Sequence, residues 1–149
     1  MQKITLGRSG LVVPRNGFGA LPIQRISLDD TVRLVRRALD GGMYYFDTAR
    51  FYTDSEEKLG VALKGRRKEV IISTKTGATT VDAFWKDLET SLGLLQTYYV
   101  DLYQFHNPSF VPSLATVLVC MKPCKRLCVR VKCFISALPT TVSLWLARL

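Results

Sequence analysis

The 149-residue chain has room for one domain of ordinary size, and 48% apolar with 22% charged residues describes a folded polypeptide rather than a disordered one. The charge-free stretch at residues 134–147 contains Pro139 and falls short of the roughly 20 apolar residues of a bilayer span, and MQKITLGRSGLVV lacks the apolar run of a signal peptide. No membrane span is therefore expected, and cytoplasmic location is. The formal charge of +9 is uneven: residues 1–112 hold 15 basic residues against all 12 acids, whereas residues 113–149 hold six basic residues and no acid.

Lys3-Ile4-Thr5-Leu6 and Leu11-Val12-Val13 flank Gly7-Arg8-Ser9-Gly10, a connection with glycines at both ends that suits a small hairpin. Asn16 to Ala20 reads as a short strand. Ser27, with Asp30 three positions on, predicts a helix N-terminus, and Leu28, Val32, Val35 and Leu39 recur at helical spacing until Gly41-Gly42 stops the helix. Met43 to Asp47 fits a buried strand ending at an acid. Asp54 with Glu57 is expected to cap a second helix through Leu59, Ala62 and Leu63, ended by Gly65. The basic run Lys64-Gly65-Arg66-Arg67-Lys68 reads as a solvated turn.

Val70 to Lys75 is the next strand, a third helix places Phe84, Leu88, Leu92 and Leu95 on one face, and Tyr99 to His106 forms another strand. This alternation predicts an α/β fold with parallel strands, either a doubly wound sheet or a β/α barrel. Gly17-Phe18-Gly19 is not followed by the rest of a dinucleotide-binding fingerprint. Polar residues instead stand at the carboxyl ends of three successive strands, where barrel active sites are assembled: Asp47, Lys75 and His106, with Tyr52 in the loop after Asp47.

The text around those positions resembles the aldo-keto reductase family. It comprises Gly17-Phe18-Gly19-Ala20, Phe46-Asp47-Thr48-Ala49 with Tyr52 and Ser55-Glu56, Thr74-Lys75-Thr76, and Asp101-Leu102-Tyr103-Gln104-Phe105-His106. The resemblance covers residues 3 to about 112. It implies the N-terminal half of a (β/α)8 TIM barrel: a hairpin across the barrel bottom, then four βα-type strands with three helices. It further implies reduction of an aldehyde or ketone by NADPH, with Tyr52 as general acid, Lys75 lowering the tyrosine pKa, Asp47 orienting the lysine and His106 hydrogen-bonded to the carbonyl. Gly19, Ala20 and Asp47 would line the nicotinamide. Taken singly, Asp47 could be a strand-end cap, Lys75 a solvated lysine, Tyr52 a surface aromatic and His106 a structural histidine. Their joint placement favours catalysis.

Residues 113–149 change character. All four cysteines (Cys120, Cys124, Cys128, Cys133) fall there and no glycine does. Their spacing matches neither an iron–sulfur run nor a zinc site, so no metal is expected, and the segment reads as an irregular or helical basic tail. It carries no recognised nucleic-acid motif, so no nucleic-acid partner is expected. It can also be read as translated out of frame: regrouped by one base, Val119-Cys120-Met121-Lys122-Pro123-Cys124 can encode Leu-Tyr-Glu-Ala-Met, and the whole stretch can encode a glycine-rich loop, a helix and a strand like the family's continuation. Two readings follow: a reductase impaired in its 149-residue form, self-associating through an exposed barrel edge, or a non-catalytic half-barrel remnant.

Overall fold

The computed structural model of the chain describes residues 1–7 and 9–109, and the backbone of 132–134. Strands β1 (Lys3–Thr5) and β2 (Val12–Pro14) pair antiparallel with Ile4 opposite Val13. Gly7 and Gly10 take φ of 53° and 66° at the ends of the expected connection, where a side chain would be strained. Tyr44, just before the strand that ends at Asp47, donates from its hydroxyl to the Val12 carbonyl at 3.2 Å. That contact puts the hairpin at the end of the sheet opposite Asp47.

The remaining strands are β3 (Phe18–Gly19), β4 (Tyr45–Asp47), β5 (Ile71–Thr76), β6 (Leu102–Phe105) and β7 (Lys132–Phe134), parallel and neighbours in that order. Helices α1 (Leu28–Asp40), α2 (Ser55–Ala62) and α3 (Val81–Leu94) connect β3 to β4, β4 to β5 and β5 to β6. This is the half barrel that the family resemblance implies. One expectation is corrected: the tail is not wholly irregular or helical, because β7 adds a fifth parallel strand, with Tyr103 opposite Cys133. The outer backbone groups of β6 gain partners in this pairing. The rest of the basic tail, with Cys120, Cys124 and Cys128, lies outside the described residues.

Alternation along the strands sends Phe46, Ile72, Tyr103 and Phe105 toward the helices, where they join Leu59, Phe84, Leu88 and Val35 in one core. Full burial of Phe46 and Leu88, 0% and 1% exposed, contributes about 1.5–3 kcal/mol each. In α1, Ser27 Oγ accepts from the Asp30 amide at 3.1 Å, and Gly42 takes φ of 86° just past the end. Leu28, expected on the core face, is exposed; Thr31 is buried in its place, its hydroxyl donating to the Ser27 carbonyl at 2.9 Å. Asp54 occupies the N-cap position of α2 without capping, since its carboxylate pairs with Lys58 Nζ at 2.8 Å. Lys58 in turn donates to the carbonyls of Ile23 and Ile26, fastening α2 to the short 3₁₀ turn Leu21–Arg25.

The basic run is not simply solvated. Arg66 pairs with Asp40 and Glu69. Arg67 stacks 3.9 Å over the Tyr99 ring and donates to Asp101 Oδ2 at 2.8 Å and to the Tyr99 and Val70 carbonyls. Asp101 Oδ2 also accepts from the Ile72 amide at 2.9 Å, so this cluster locks β5 beside β6 below the site. Among the described residues no helix is long and apolar enough to cross a membrane.

Candidate active site

Parallel pairing places Asp47 beside Ser73 and Lys75 beside Gln104, and the two-residue period puts all four side chains on the face of the sheet turned away from the helices. Lys75 Nζ donates to Asp47 Oδ2 at 2.6 Å and to the Thr48 carbonyl at 2.8 Å. The second Asp47 oxygen accepts from Ser73 Oγ at 2.9 Å. His106 follows β6, its amide bonded to the Thr76 carbonyl at 2.7 Å.

Tyr52 arrives from the loop between β4 and α2, which is tied down on several sides. Thr48 and Arg50 amides donate to the Ser73 and Lys75 carbonyls, extending the ladder past β4. The hydroxyls of Thr48 and Ser55 meet at 2.9 Å, and Ser55 donates to the Ala20 carbonyl at 2.8 Å. Glu56, buried, accepts from Arg50 and, at 2.6 Å, from Thr74 Oγ1. Thr53, immediately after Tyr52, holds φ of 36°, a left-handed conformation that strains a β-branched residue, and Asn107 after His106 holds 45°.

The result brings the four expected residues together. Lys75 Nζ lies 5.5 Å from the Tyr52 ring centroid, and the Tyr52 and His106 rings meet edge to face at 5.6 Å. Asp47, Tyr52, Lys75 and His106 line one cavity of about 290 Å³ with Gln104, Phe105 and Asn107. Gln104 and Asn107 were not expected there, although Gln104 stands two positions before His106, the spacing that puts it on the same strand face. Phe51 is 65% exposed with its ring over Gly77, where any side chain would meet it at 2.1 Å, and it flanks His106 at 5.4 Å. A second cavity of about 230 Å³ opens between Phe51, Gly77 and Pro108 on the other side of the imidazole.

The electrostatics depart from expectation at Tyr52. Burial, and then the negative charge of Asp47, push its phenol above 10, whereas a lowering by Lys75 was expected. Partial burial of the ring disfavours the phenolate most, and the Asp47 carboxylate disfavours it further. His106 is pushed below 6.5 by burial and then by the Lys75 cation, against a smaller opposing effect of Asp47, so the imidazole is neutral at pH 7. Its Nδ1 is buried without a hydrogen-bond partner.

Of the residues expected to line a cofactor, Gly19 stands opposite Asp47 with open space where a side chain would project. Ala20 is fully buried, its amide donating to the Asp47 carbonyl at 2.8 Å and its carbonyl accepting from Ser55, which ties β3 to β4 and to the Tyr52 loop. Among the described residues no group of three or more His, Cys, Asp or Glu is placed to hold a metal.

Comparison with known proteins gives a concordant picture. The model of the aldo/keto reductase family matches residues 15–127. L-galactose dehydrogenase of Arabidopsis thaliana is 36% identical over 120 residues, covering 70% of this chain and 38% of that protein. Methylglyoxal reductase DkgA of Yersinia pestis is 37% identical over 111 residues, covering 72% of this chain and 39% of that protein. The chain thus spans well under half the length of these curated relatives. Among solved structures, the holo form of aldo-keto reductase AKR11C1 from Bacillus halodurans superposes with a TM-score of 0.79 at 29% identity, covering 93% of this chain and 51% of that one. An aldo-keto reductase from Klebsiella pneumoniae in complex with NADPH gives 0.77 at 29% identity, covering 94% and 51%.

Proposed function

The chain belongs to the aldo/keto reductase family, and from that premise we propose that its site reduces the carbonyl group of an aldehyde or ketone with NADPH. The observation that carries the proposal is Lys75 Nζ held between Asp47 Oδ2 at 2.6 Å and the Tyr52 ring at 5.5 Å, on a cavity that Tyr52 and His106 share. A bound nicotinamide would supply the hydride. The site fits such a group at Gly19, where the backbone lies open beside Asp47, and in the space between Asp47, Gln104 and Asn107.

The protein's own residues handle the proton. Tyr52, its phenol pushed up, keeps its proton at neutral pH and releases it to the carbonyl oxygen as negative charge develops there. The Lys75 ammonium stands close enough to stabilise the phenolate left behind, and Asp47 with the Thr48 carbonyl fixes where it stands. Neutral His106 has one N–H. Because Nδ1 is buried without an acceptor, the proton is better accommodated on Nε2, from which it can donate to the carbonyl oxygen. Phe51 beside the imidazole offers an apolar wall to the substrate.

The setting is the cytoplasm, where the thiols of the four cysteines stay reduced. Turnover by residues 1–149 alone is expected to be low, since barrel phosphate sites are commonly built by the loops after strands 7 and 8. Self-association through the outer edge of β3, which pairs with no strand among the described residues, is part of the same reading. Residues 113–149 are read as an out-of-frame product of the same reductase gene, which their loss of acids and glycine favours; codons giving stops in the alternative frame would end that reading. The experiment is to mix the chain with NADPH and a panel of aldehydes and ketones and follow nicotinamide oxidation. Slow turnover is expected; absence of both turnover and cofactor binding would leave a non-catalytic half barrel.

A further inference from the structure

Ser73 is completely buried on the inner face of the sheet, and its hydroxyl lies 2.9 Å from Asp47 Oδ1 and 3.3 Å from Gln104 Oε1. A serine hydroxyl has one proton and two lone pairs, so it cannot donate to two oxygens at once. The carboxylate has no proton to give and is the stronger acceptor, which commits the serine proton to Asp47. An amide has nearly the same outline with its oxygen and nitrogen exchanged, and with nitrogen toward Ser73, Gln104 donates where it could not otherwise bond. The serine proton then has one acceptor, Asp47 Oδ1, and a serine lone pair accepts from Gln104.

We infer that Ser73, oriented by Gln104, is a positioning residue for the site: the chain Gln104 to Ser73 to Asp47 to Lys75 fixes both carboxylate oxygens of Asp47 and through them the place of the Lys75 ammonium. One oxygen is held by Ser73 and the other by Lys75, so the carboxylate cannot turn about its own axis without losing a charge-assisted bond. Without Ser73, Oδ1 loses its donor in a part-buried setting, and the ammonium follows whatever rotation relieves that loss. The register makes the arrangement possible, since Asp47 is paired with Ser73 and Lys75 with Gln104 across three adjacent strands. Ser73 touches neither substrate nor cofactor in this account. The inference rests on the carbonyl-reduction reading for its purpose, but its geometry can be tested without turnover.

The test is hydrogen exchange of the Lys75 ammonium, followed by ¹H–¹⁵N NMR on the full chain at fixed pH, with backbone spectra recorded in parallel. Ser73→Ala should exchange about tenfold faster than the natural chain, as loss of a hydrogen bond to a charged group would give. Ser73→Cys, close in shape but a weak donor, should behave like the alanine variant and decides the matter if alanine fails to fold. Ser73→Thr should restore slow exchange, and Gln104→Met should fall between. Natural exchange rates in both Ser73→Ala and Ser73→Cys, with native backbone spectra, would overturn the inference, as would acceleration in alanine alone, which would mark Ser73 as a space filler. NADPH oxidation is measured separately. A chain without carbonyl reduction that still shows the exchange pattern loses the proposed function and keeps the positioning role, while reduction with unchanged exchange does the reverse.

Discussion

Replacing Glu56 with alanine should unfold the scaffold of the site before it changes any group that lines the cavity. Glu56 has 1% of its side chain exposed and binds two elements: Arg50 in the loop that delivers Tyr52, and Thr74 on the strand that delivers Lys75. Removing one partner of a buried ion pair costs about 3–5 kcal/mol, chiefly because the other charge is left uncompensated. Arg50 keeps 21% exposure and can be partly rehydrated, which places the loss near the low end, about 3 kcal/mol. For a chain of this size each kcal/mol lowers the melting temperature by about 2–4 °C, giving about 6–12 °C. Glu56→Gln retains an acceptor for Thr74 and gives up only the charge, so it should lose about half as much. Melting curves by far-ultraviolet circular dichroism, at several protein concentrations to separate unfolding from association, make the comparison. A Glu56→Ala melting point within about 2 °C of the natural chain would refute the reasoning.

Two glycines separate hard from soft neighbours. A Cβ at Gly60 would stand 2.3 Å from the Leu94 carbonyl oxygen, backbone that cannot step aside, whereas at Gly77 it would meet the tip of the exposed Phe51 ring. Gly60→Ala should therefore destabilise by about 1–3 kcal/mol despite its better helix propensity, and Gly77→Ala by under about 1 kcal/mol, with a displaced Phe51 signal by NMR; equal urea midpoints would contradict this. His106 is the sole histidine, so its imidazole titration reads cleanly by NMR. Its midpoint should lie below 6.5, and Lys75→Met should raise it by removing the cation; a midpoint at or above 6.5 would contradict the placement. Because folding depresses this base, its stability contribution is present above pH 6.5 and is lost as pH falls through the lower folded value.

Much of this arrangement is legible in the sequence because it rests on local signals. Ser27 and Gly42 mark α1 through capping chemistry, and strand ends at Asp47, Lys75 and His106 share one rim through the βα repeat alone. What escaped is tertiary. Arg67 looks like one more charge in a basic turn until Asp101 and Tyr99, over 30 residues later, surround it. Helix α2 buries Glu56 and Lys58 along with Leu59 because α1, α3 and the 3₁₀ turn close around it, a setting no hydrophobic period announces. The Tyr52 environment could not be read either. Two charges of opposite sign flank the ring, and only their coordinates decide which field it feels.

The most direct measurement of the central claim is the rate of NADPH oxidation by the chain and its Tyr52→Phe variant, with cofactor affinity determined for both by fluorescence titration. If Tyr52 gives up its proton in the transition state, the variant should lose carbonyl reduction by at least about a hundredfold while its affinity for NADPH stays within about twofold. Equal reduction by the two chains would contradict the assignment of Tyr52 and with it the proposed chemistry of the site.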